Sequence, residues 1–449
     1  MKQNRSFLST VCALAVPVAL QSMLQSSFSI VDQIMIGQLG SVFVAGVGLA
    51  GKFSSIYSVL VSAVGAVAGI MIAQYLGQNN QPEVRRSFWL NLVLALVLAG
   101  GFTLLCALLP RQIMGLYSTD TETIAASAGY LRIIAWTFLP MAGATMLSTL
   151  FRCMEKASLP LYASLASAVL NTVLNYILIF GKLGFAPMGA AGAAIATLLS
   201  QWLNFLVMLL MMGRFGGILK RSTGSGAPLS RINWKQYLDM LLPILVCEFA
   251  WSLGENVYAA IYGRIGTDAS AAMTLTNPVQ GLMIGALCGL SQAAGVIIGK
   301  KLGSRDYEEA YQASKKLLVY GFLGSILLSA VILLTKKFYV EIYQVEDSVK
   351  ALTVQLLTAY AVIAPVKVEN MILGSGILRS GGQTKYVMGI DMAGTWLLGV
   401  PLGLIAAFVL KLPIPYVYFM LSLEECFRFG VGLWVLGRKK WMHSLDTAE

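Results

Sequence analysis

PVALQSMLQSSFSIVDQIMIGQLG (17–40) and PILVCEFAWSLGENVYAAIYGRIG (243–266) are the two stretches that decide the architecture. Laid one over the other at an offset of 226 residues (243 minus 17), Pro17 falls on Pro243, Gly37 on Gly263 and Gly40 on Gly266. The offset continues without a gap. Ala45 meets Ala271, Leu49 meets Leu275, and Gly69, Ile72, Leu76 and Gly77 meet Gly295, Ile298, Leu302 and Gly303. Glu83 meets Glu309 and, farther on, Tyr117 meets Tyr343. Coincident leucines and alanines mean little in apolar sequence. A proline and several glycines in one register indicate duplication, because each constrains or frees the backbone at a particular point.

Both copies lie in long apolar runs, and such runs fill the chain. The 449 residues are 57% hydrophobic and 12% charged, with mean hydropathy +0.73; a soluble domain carries about 25% charged residues. A membrane-spanning helix needs about 20 mostly apolar residues. The segments 10–36, 45–76, 87–109, 121–150, 160–182, 187–213, 236–262, 271–302, 314–336, 347–375, 385–408 and 412–437 meet that need. The expectation is an all-α membrane protein of about twelve transmembrane helices in two parallel six-helix repeats. An even number per half makes both halves enter the membrane from the same side, so the repeat axis lies along the membrane normal, and substrate passes between the halves. The expected division is an N-lobe at 1–213, a cytoplasmic linker at 214–235 rich in Gly, Ser and basic residues, a C-lobe at 236–437 and a cytoplasmic tail at 438–449.

The apolar run from Phe7 through Ile36 is too long for a signal peptide and reads as an uncleaved first span. Lysine and arginine set orientation. With the N-terminus inside, the cytoplasmic segments hold Arg85, Arg86, Lys220, Arg221, Lys300, Lys301, Arg305, Arg438, Lys439 and Lys440, among others. The opposite loops hold Arg111, Lys182, Arg264, Lys336, Lys337 and Lys411. Both termini are therefore expected in the cytoplasm, with the chain multi-pass in the plasma (cytoplasmic) membrane. The bias accounts for the net charge of +11 and makes nucleic-acid binding an unnecessary reading. Six scattered cysteines show no metal-ligand spacing and read as small apolar residues. The single histidine, His443, lies in the polar tail, which excludes histidine-based catalysis within the membrane.

A charge at the centre of a span costs roughly 2.5–3.5 kcal/mol on insertion scales and marks an ion or substrate path. Asp32, Glu248, Glu255, Glu369, Asp391, Glu424 and Glu425 are the candidates. Asp32, near the outer end of its helix, reads either as a path residue or as a capping acid. Glu248 and Glu255 are two helical turns apart, with Trp251 and Ser252 between them on the same face. This stripe suits a cationic, apolar guest through charge and cation–π contact, and it suits proton uptake. The competing reading is neutralisation by a neighbour such as Lys367. Glu369 either pairs locally with Lys367 or faces the C-half cavity. Glu424 and Glu425 read as self-neutralised by Arg428 at i, i+3 and i, i+4. Asp391 has no partner visible in sequence. Asn171 and Asn175 share one face of the fifth helix at i, i+4, and Thr197 sits by the small-residue stretch GAAGAA, where helices pack closely.

The segment PVALQSMLQSSFSIVDQIMIGQLG, with its VD and paired glycines, resembles the first helix of multidrug and toxic compound extrusion (MATE) transporters. NTVLNYILIFGKLGFAPMGAAGAAIATLLSQ resembles their fifth and sixth helices. LPILVCEFAWSLGENVYAAIYGRIGTDASAA is similar to the opening of their second half, and LRSGGQTKY to the loop after their tenth helix. The resemblance implies a V-shaped, two-lobed exporter that alternates between inward and outward states. It implies cationic, amphipathic drugs or metabolites as cargo and H+ or Na+ as the coupling ion, with no other cofactor. On that resemblance Asp32 stands for the first-helix acid, Asn171 and Asn175 for the fifth-helix polar pair and Thr197 for the sixth-helix threonine. Glu248 stands for the seventh-helix acid and Glu369 for the tenth-helix one. Na+ would sit either at Asp32, Asn171 and Asn175 or at Glu248, Glu255 and Glu369. Some members carry aspartate where Asn175 stands, which puts a two-acid N-lobe proton site in doubt.

A lipid-linked saccharide flippase of the same superfamily would want basic residues for a diphosphate, whereas the mid-membrane charges here lean acidic. An intramembrane enzyme would need a nucleophile–base pair or a metal cluster, and none is visible. The expected partners are the bilayer and small cations, with the protein acting as a monomer.

Overall fold

The computed structural model describes residues 6–39, 41–215, 233–343 and 345–445. Most of the expected linker and the last residues of the tail lie outside them. Among the described residues twelve long helices follow one another: α1 Phe7–Gly37, α2 Ser41–Gly77, α3 Gln81–Leu108, α4 Thr121–Cys153, α5 Ser158–Phe180, α6 Gly189–Phe215, α7 Trp234–Ile265, α8 Thr267–Gly303, α9 Tyr307–Glu341, α10 Asp347–Leu378, α11 Thr384–Val409 and α12 Ile414–Arg438. A short helix, Pro110–Gly115, links α3 to α4. No strand occurs among the described residues. Eleven of these helices are long and apolar enough to cross a membrane. The exception, α12, carries Glu424, Glu425 and Arg428 mid-helix. Large apolar side chains such as Phe322, Leu323, Leu327, Leu334 and Phe338 on α9 point out of the protein, as lipid-facing residues must.

The chain forms two compact units. One comprises Leu20–Ile72 and Asn80–Ile232; the other comprises Met1–Ala19, Ala73–Asn79 and Asn233–Glu449. The boundary thus falls within α1 and near the end of α2, in addition to the linker.

Several residues matched in the repeat do the same work twice. The Asn80 side chain accepts from the Glu83 amide (3.3 Å) and caps α3; 226 residues on, the Asp306 side chain accepts from the Glu309 amide (3.2 Å) and caps α9. The matched glutamates therefore occupy the third position of equivalent capping turns. Asp120 caps α4 in the same manner, and its hydrogen bonds from Thr123 hold its carboxyl below the usual carboxylate range.

The matched glycines have a reciprocal role within the second unit. Gly77 lies directly against the backbone carbonyl of Lys300, and Gly303 directly against that of Gln74. The contact repeats at the duplication offset, so α2 and α8 cross by a local two-fold relation. Neither site has room for a Cβ. Gly77→Ala and Gly303→Ala are each expected to destabilise by about 1–3 kcal/mol through overpacking. Equal downward shifts in the melting midpoint of detergent-purified protein would bear this out, and an unchanged midpoint in either variant would contradict it.

The tail is part of the same unit. Trp441 is fully buried, and its carbonyl lies over Gly381. The buried Gln74 side chain donates to the carbonyls of Ser380 (2.7 Å) and His443 (3.2 Å) and accepts from the Leu445 amide (2.7 Å). The His443 side chain itself is exposed. Of the cysteines, Cys106, Cys153 and Cys247 are buried as expected, whereas Cys12 and Cys426 are exposed.

Candidate functional site

In the first unit, the alanines of α6 set the geometry. Ala193, Ala194 and Ala196 are buried, and Gly192 faces the Leu178 carbonyl of α5 at a separation that would leave a Cβ 2.7 Å from it. Close approach of α5 and α6 brings the Asn171 side-chain amide to 3.4 Å from Thr197 Oγ1. One turn along α5, Asn175, 1% exposed, donates from Nδ2 to Asp32 Oδ1 on α1 at 2.6 Å. The Asn171 amide lies 2.9 and 3.1 Å from the two Asp32 oxygens, and with its nitrogen turned toward them it donates to both. Tyr130 of α4 lies within electrostatic range of the same carboxylate. Asp32, Asn171, Asn175 and Thr197, drawn from three helices, therefore form one cluster. The capping alternative for Asp32 does not hold: its amide partners come from another helix.

In the second unit, a cavity of about 210 Å³ opens between α7, α8, α10 and α12. Its wall holds Glu255, Tyr258 and Tyr262 from α7, Asn277 and Gln280 from α8, Lys367 from α10, and Tyr418, Glu424 and Glu425 from α12. Glu424 and Glu425 are buried. The π-helical stretch Ala393–Gly399 of α11 ends at Gly399, against which the Tyr258 hydroxyl and the Glu424 carboxylate lie side by side. The Tyr258 hydroxyl and the Glu424 carboxylate are hydrogen-bonded to each other, and neither Tyr258 Oη nor Glu424 Oε2 has another hydrogen-bond partner among the described residues.

The remaining acids are paired or enclosed. Glu248 takes a hydrogen bond from Arg379 Nη1 at 3.1 Å. Asp391 is bound by Arg428 Nη2 and also accepts from Cys247 Sγ at 3.4 Å. Arg428 reaches back to Glu425 at 3.6 Å, and Asn370 Nδ2 donates to Glu425 Oε2 at 2.7 Å. Glu369, 2% exposed, packs by Gly321 with Oε1 unpaired and takes no part in the cavity wall.

The stripe expected on α7 therefore divides. Glu255 reaches the cavity, Glu248 turns to Arg379, and Trp251, 51% exposed, and Ser252 are absent from the cavity wall. Seven residues return a helix to nearly the same angle but move about 10 Å along its axis, and the cavity runs along α7 from Glu255 to Tyr262, on the side away from Glu248. Glu248, Glu255 and Glu369 do not converge, which removes the second of the two Na+ sites anticipated from sequence. Among the described residues, no group of three or more His, Cys, Asp and Glu is arranged to hold a metal ion. Glu424 is not neutralised by Arg428 alone, since it also faces the cavity.

Comparison with known proteins now bears on this geometry. The MatE family model matches residues 17–177 and 243–405, beginning at Pro17 and again at Pro243. The chain belongs to the MatE family. The two matches start 226 residues apart, the offset read from the glycines and proline. A Brucella suis biovar 1 protein, "Probable multidrug resistance protein NorM", is 27% identical over 425 residues, spanning 91% of this chain and 88% of that one. A Brucella melitensis biotype 1 protein of the same description matches to the same extent. Among solved structures, a Vibrio cholerae MATE transporter superimposes with a TM-score of 0.88 at 16% identity, covering 96% of this chain and 98% of that one. A MOP superfamily transporter from Pyrococcus furiosus superimposes with a TM-score of 0.86 at 18% identity, covering 97% and 96%. These likenesses establish the fold. This MatE chain is accordingly a multi-pass membrane transporter.

Sequence reasoning missed Tyr258, Tyr262, Tyr418 and Arg379 in this MatE protein. A signal for the tyrosines was present. Glu255, Tyr258 and Tyr262 recur at i, i+3 and i+7, and Tyr418, Ser422 and Glu425 at i, i+4 and i+7. The polar face of α7 runs from Glu255 toward its C-terminal end, opposite to the direction anticipated. Nothing in sequence announced that Arg379, just past the π-helical turn Met371–Leu378, would meet Glu248.

Proposed function

We propose that this MatE transporter exports cationic amphipathic drugs or metabolites in exchange for H+ or Na+ by alternating access, with the ion taken up at Asp32. The observation that carries the reading is the Asp32 carboxylate set in a transmembrane helix and held by Asn175 at 2.6 Å, with no lysine or arginine paired to it among the described residues. A carboxylate there is costly unless a proton, an ion or a cationic cargo neutralises it. Two of these cannot occupy it together, and a ligand that binds one conformation better shifts the population toward it. Competition at Asp32 thus couples an inward ion to outward cargo. Asn171, Asn175 and Thr197 orient the carboxylate and supply neutral oxygens. The names of the Brucella relatives support drugs as cargo. On this reading the protein works as a monomer in the plasma membrane, with both termini cytoplasmic and no organic cofactor.

The test is efflux of a fluorescent cation from proteoliposomes under a pH gradient or a Na+ gradient, each applied alone. One gradient is expected to drive accumulation against the dye gradient. Dye movement indifferent to both would overturn ion-coupled antiport.

A further inference from the structure

We propose that the cavity of the second unit recognises a small molecule carrying an ammonium at one end and a carboxylate or carbonyl at the other, with Lys367 fixing its orientation against Glu255 and Glu424. The inference adds a cargo class to the transport reading above and rests on that reading only for its biological meaning, because the binding site stands on its own geometry.

Three features carry it. The cavity, about 210 Å³, lies below the roughly 300–1,000 Å³ of pockets that enclose drug-sized ligands. It therefore suits a molecule of amino-acid size. Its wall is mostly polar, with Ala259, Met273 and Leu421 as the exceptions: it presents carboxylates, phenols, the amides of Asn277 and Gln280, and one ammonium. The aromatic expected to stack on an amphipathic cation, Trp251, is not part of that wall. Finally, the charges are held apart. Lys367 is in electrostatic contact with Glu255 and Glu425, yet among the described residues it makes no direct ion pair and no hydrogen bond. Glu425 is already engaged by Arg428 and Asn370. Glu255 also lacks a direct ion pair among the described residues. Glu424 Oε2 is buried against the Tyr258 hydroxyl and, among the described residues, makes no direct ion pair.

Buried polar atoms without partners are costly, and charge-assisted hydrogen bonds are the strongest way to satisfy them. A ligand ammonium would answer Glu255 and Glu424 together. A ligand acceptor would answer Lys367. A simple amine leaves the lysine unanswered, and a simple carboxylate meets the acids with repulsion.

The probes are ω-amino acids with one to four methylene groups, compared with butylamine and butanoate. Binding is read by competition against radiolabelled 4-aminobutanoate on detergent-purified protein, with no ion gradient. One member of the ω-amino-acid series is expected to bind at least tenfold tighter than butylamine, equivalent to about 1.4 kcal/mol, and butanoate not to compete. Lys367→Met should erase the advantage over butylamine while leaving butylamine binding intact or stronger. Glu424→Gln should weaken both amine-bearing probes. The proposal is overturned if butylamine binds as well as the best amino acid, if Lys367→Met leaves their ratio unchanged, or if no probe competes with itself at millimolar concentration. Because no gradient is involved, failure of coupled efflux in proteoliposomes would leave this result standing, and failure here would leave ion coupling at Asp32 untouched.

Discussion

Asp32→Asn is expected to abolish gradient-driven efflux while leaving the protein folded. Asparagine keeps the size of the side chain and can still accept from Asn175 Nδ2, which now bonds Asp32 Oδ1 at 2.6 Å. It cannot bind a proton or carry the charge that a cation or cationic cargo would neutralise. Coupling between two ligands is typically worth about 1–3 kcal/mol, or about 5–150-fold in affinity. Loss of the shared group removes it, so uphill export should fall to the level of empty liposomes. Equilibrium exchange of dye, which needs no ion, should survive. The melting midpoint should stay close to that of the parent, because the carboxylate is only partly buried. Undiminished gradient-driven export by this variant would place coupling elsewhere. Asn175→Leu serves as the companion: it leaves the carboxylate and the Asn171 amide but removes the 2.6 Å donor, so export is expected to be impaired with an altered pH or Na+ dependence rather than lost.

The largest stability effect is expected at Arg428. Its guanidinium binds Asp391 on α11 and lies 3.6 Å from Glu425 on its own helix, and its side-chain stem rests against Gly394. The three side chains are 14%, 21% and 7% exposed, so water does little to replace a lost partner. Arg428→Met keeps the apolar stem and strands two carboxylates. Removing one partner of a buried pair costs about 3–5 kcal/mol. The variant should lose most of its monodisperse protein on heating in detergent, well below the parent midpoint. Pairing it with Asp391→Asn should recover a large part of the loss, since removing both charges costs less than leaving one unpaired. Arg428→Lys should fall between, because an ammonium lacks the planar fork that spans Asp391 and Glu425. A midpoint for Arg428→Met equal to the parent would show that the ion pair contributes nothing to stability.

The legibility of this chain differed between its two units. In the first, Asn171 and Asn175 were paired by helical spacing alone, and the small residues before Thr197 announced a close helix contact. The structure joined them to Asp32 because α5 must approach α6 there. In the second, each acid was visible but its partner was not. Lys367 appeared two residues from Glu369, yet it faces Glu255, Glu424 and Glu425 across the cavity. Asp391 had no partner within its own helix, and its partner is an arginine 37 residues away.

By itself the sequence determined the helices, their approximate ends, the duplication and the membrane as solvent. These depend on composition, on periodicity and on Gly, Pro, Asn and Asp at particular points, all local properties of the chain. The tertiary structure decided which charges are neutralised and which are left facing a cavity. Helical spacing fixes only the angle at which a side chain leaves its axis. The group it meets is set by the neighbouring helix at that depth, and that placement comes from close contacts at glycine, such as Gly192 on the Leu178 backbone and Gly399 against the Tyr258 and Glu424 side chains.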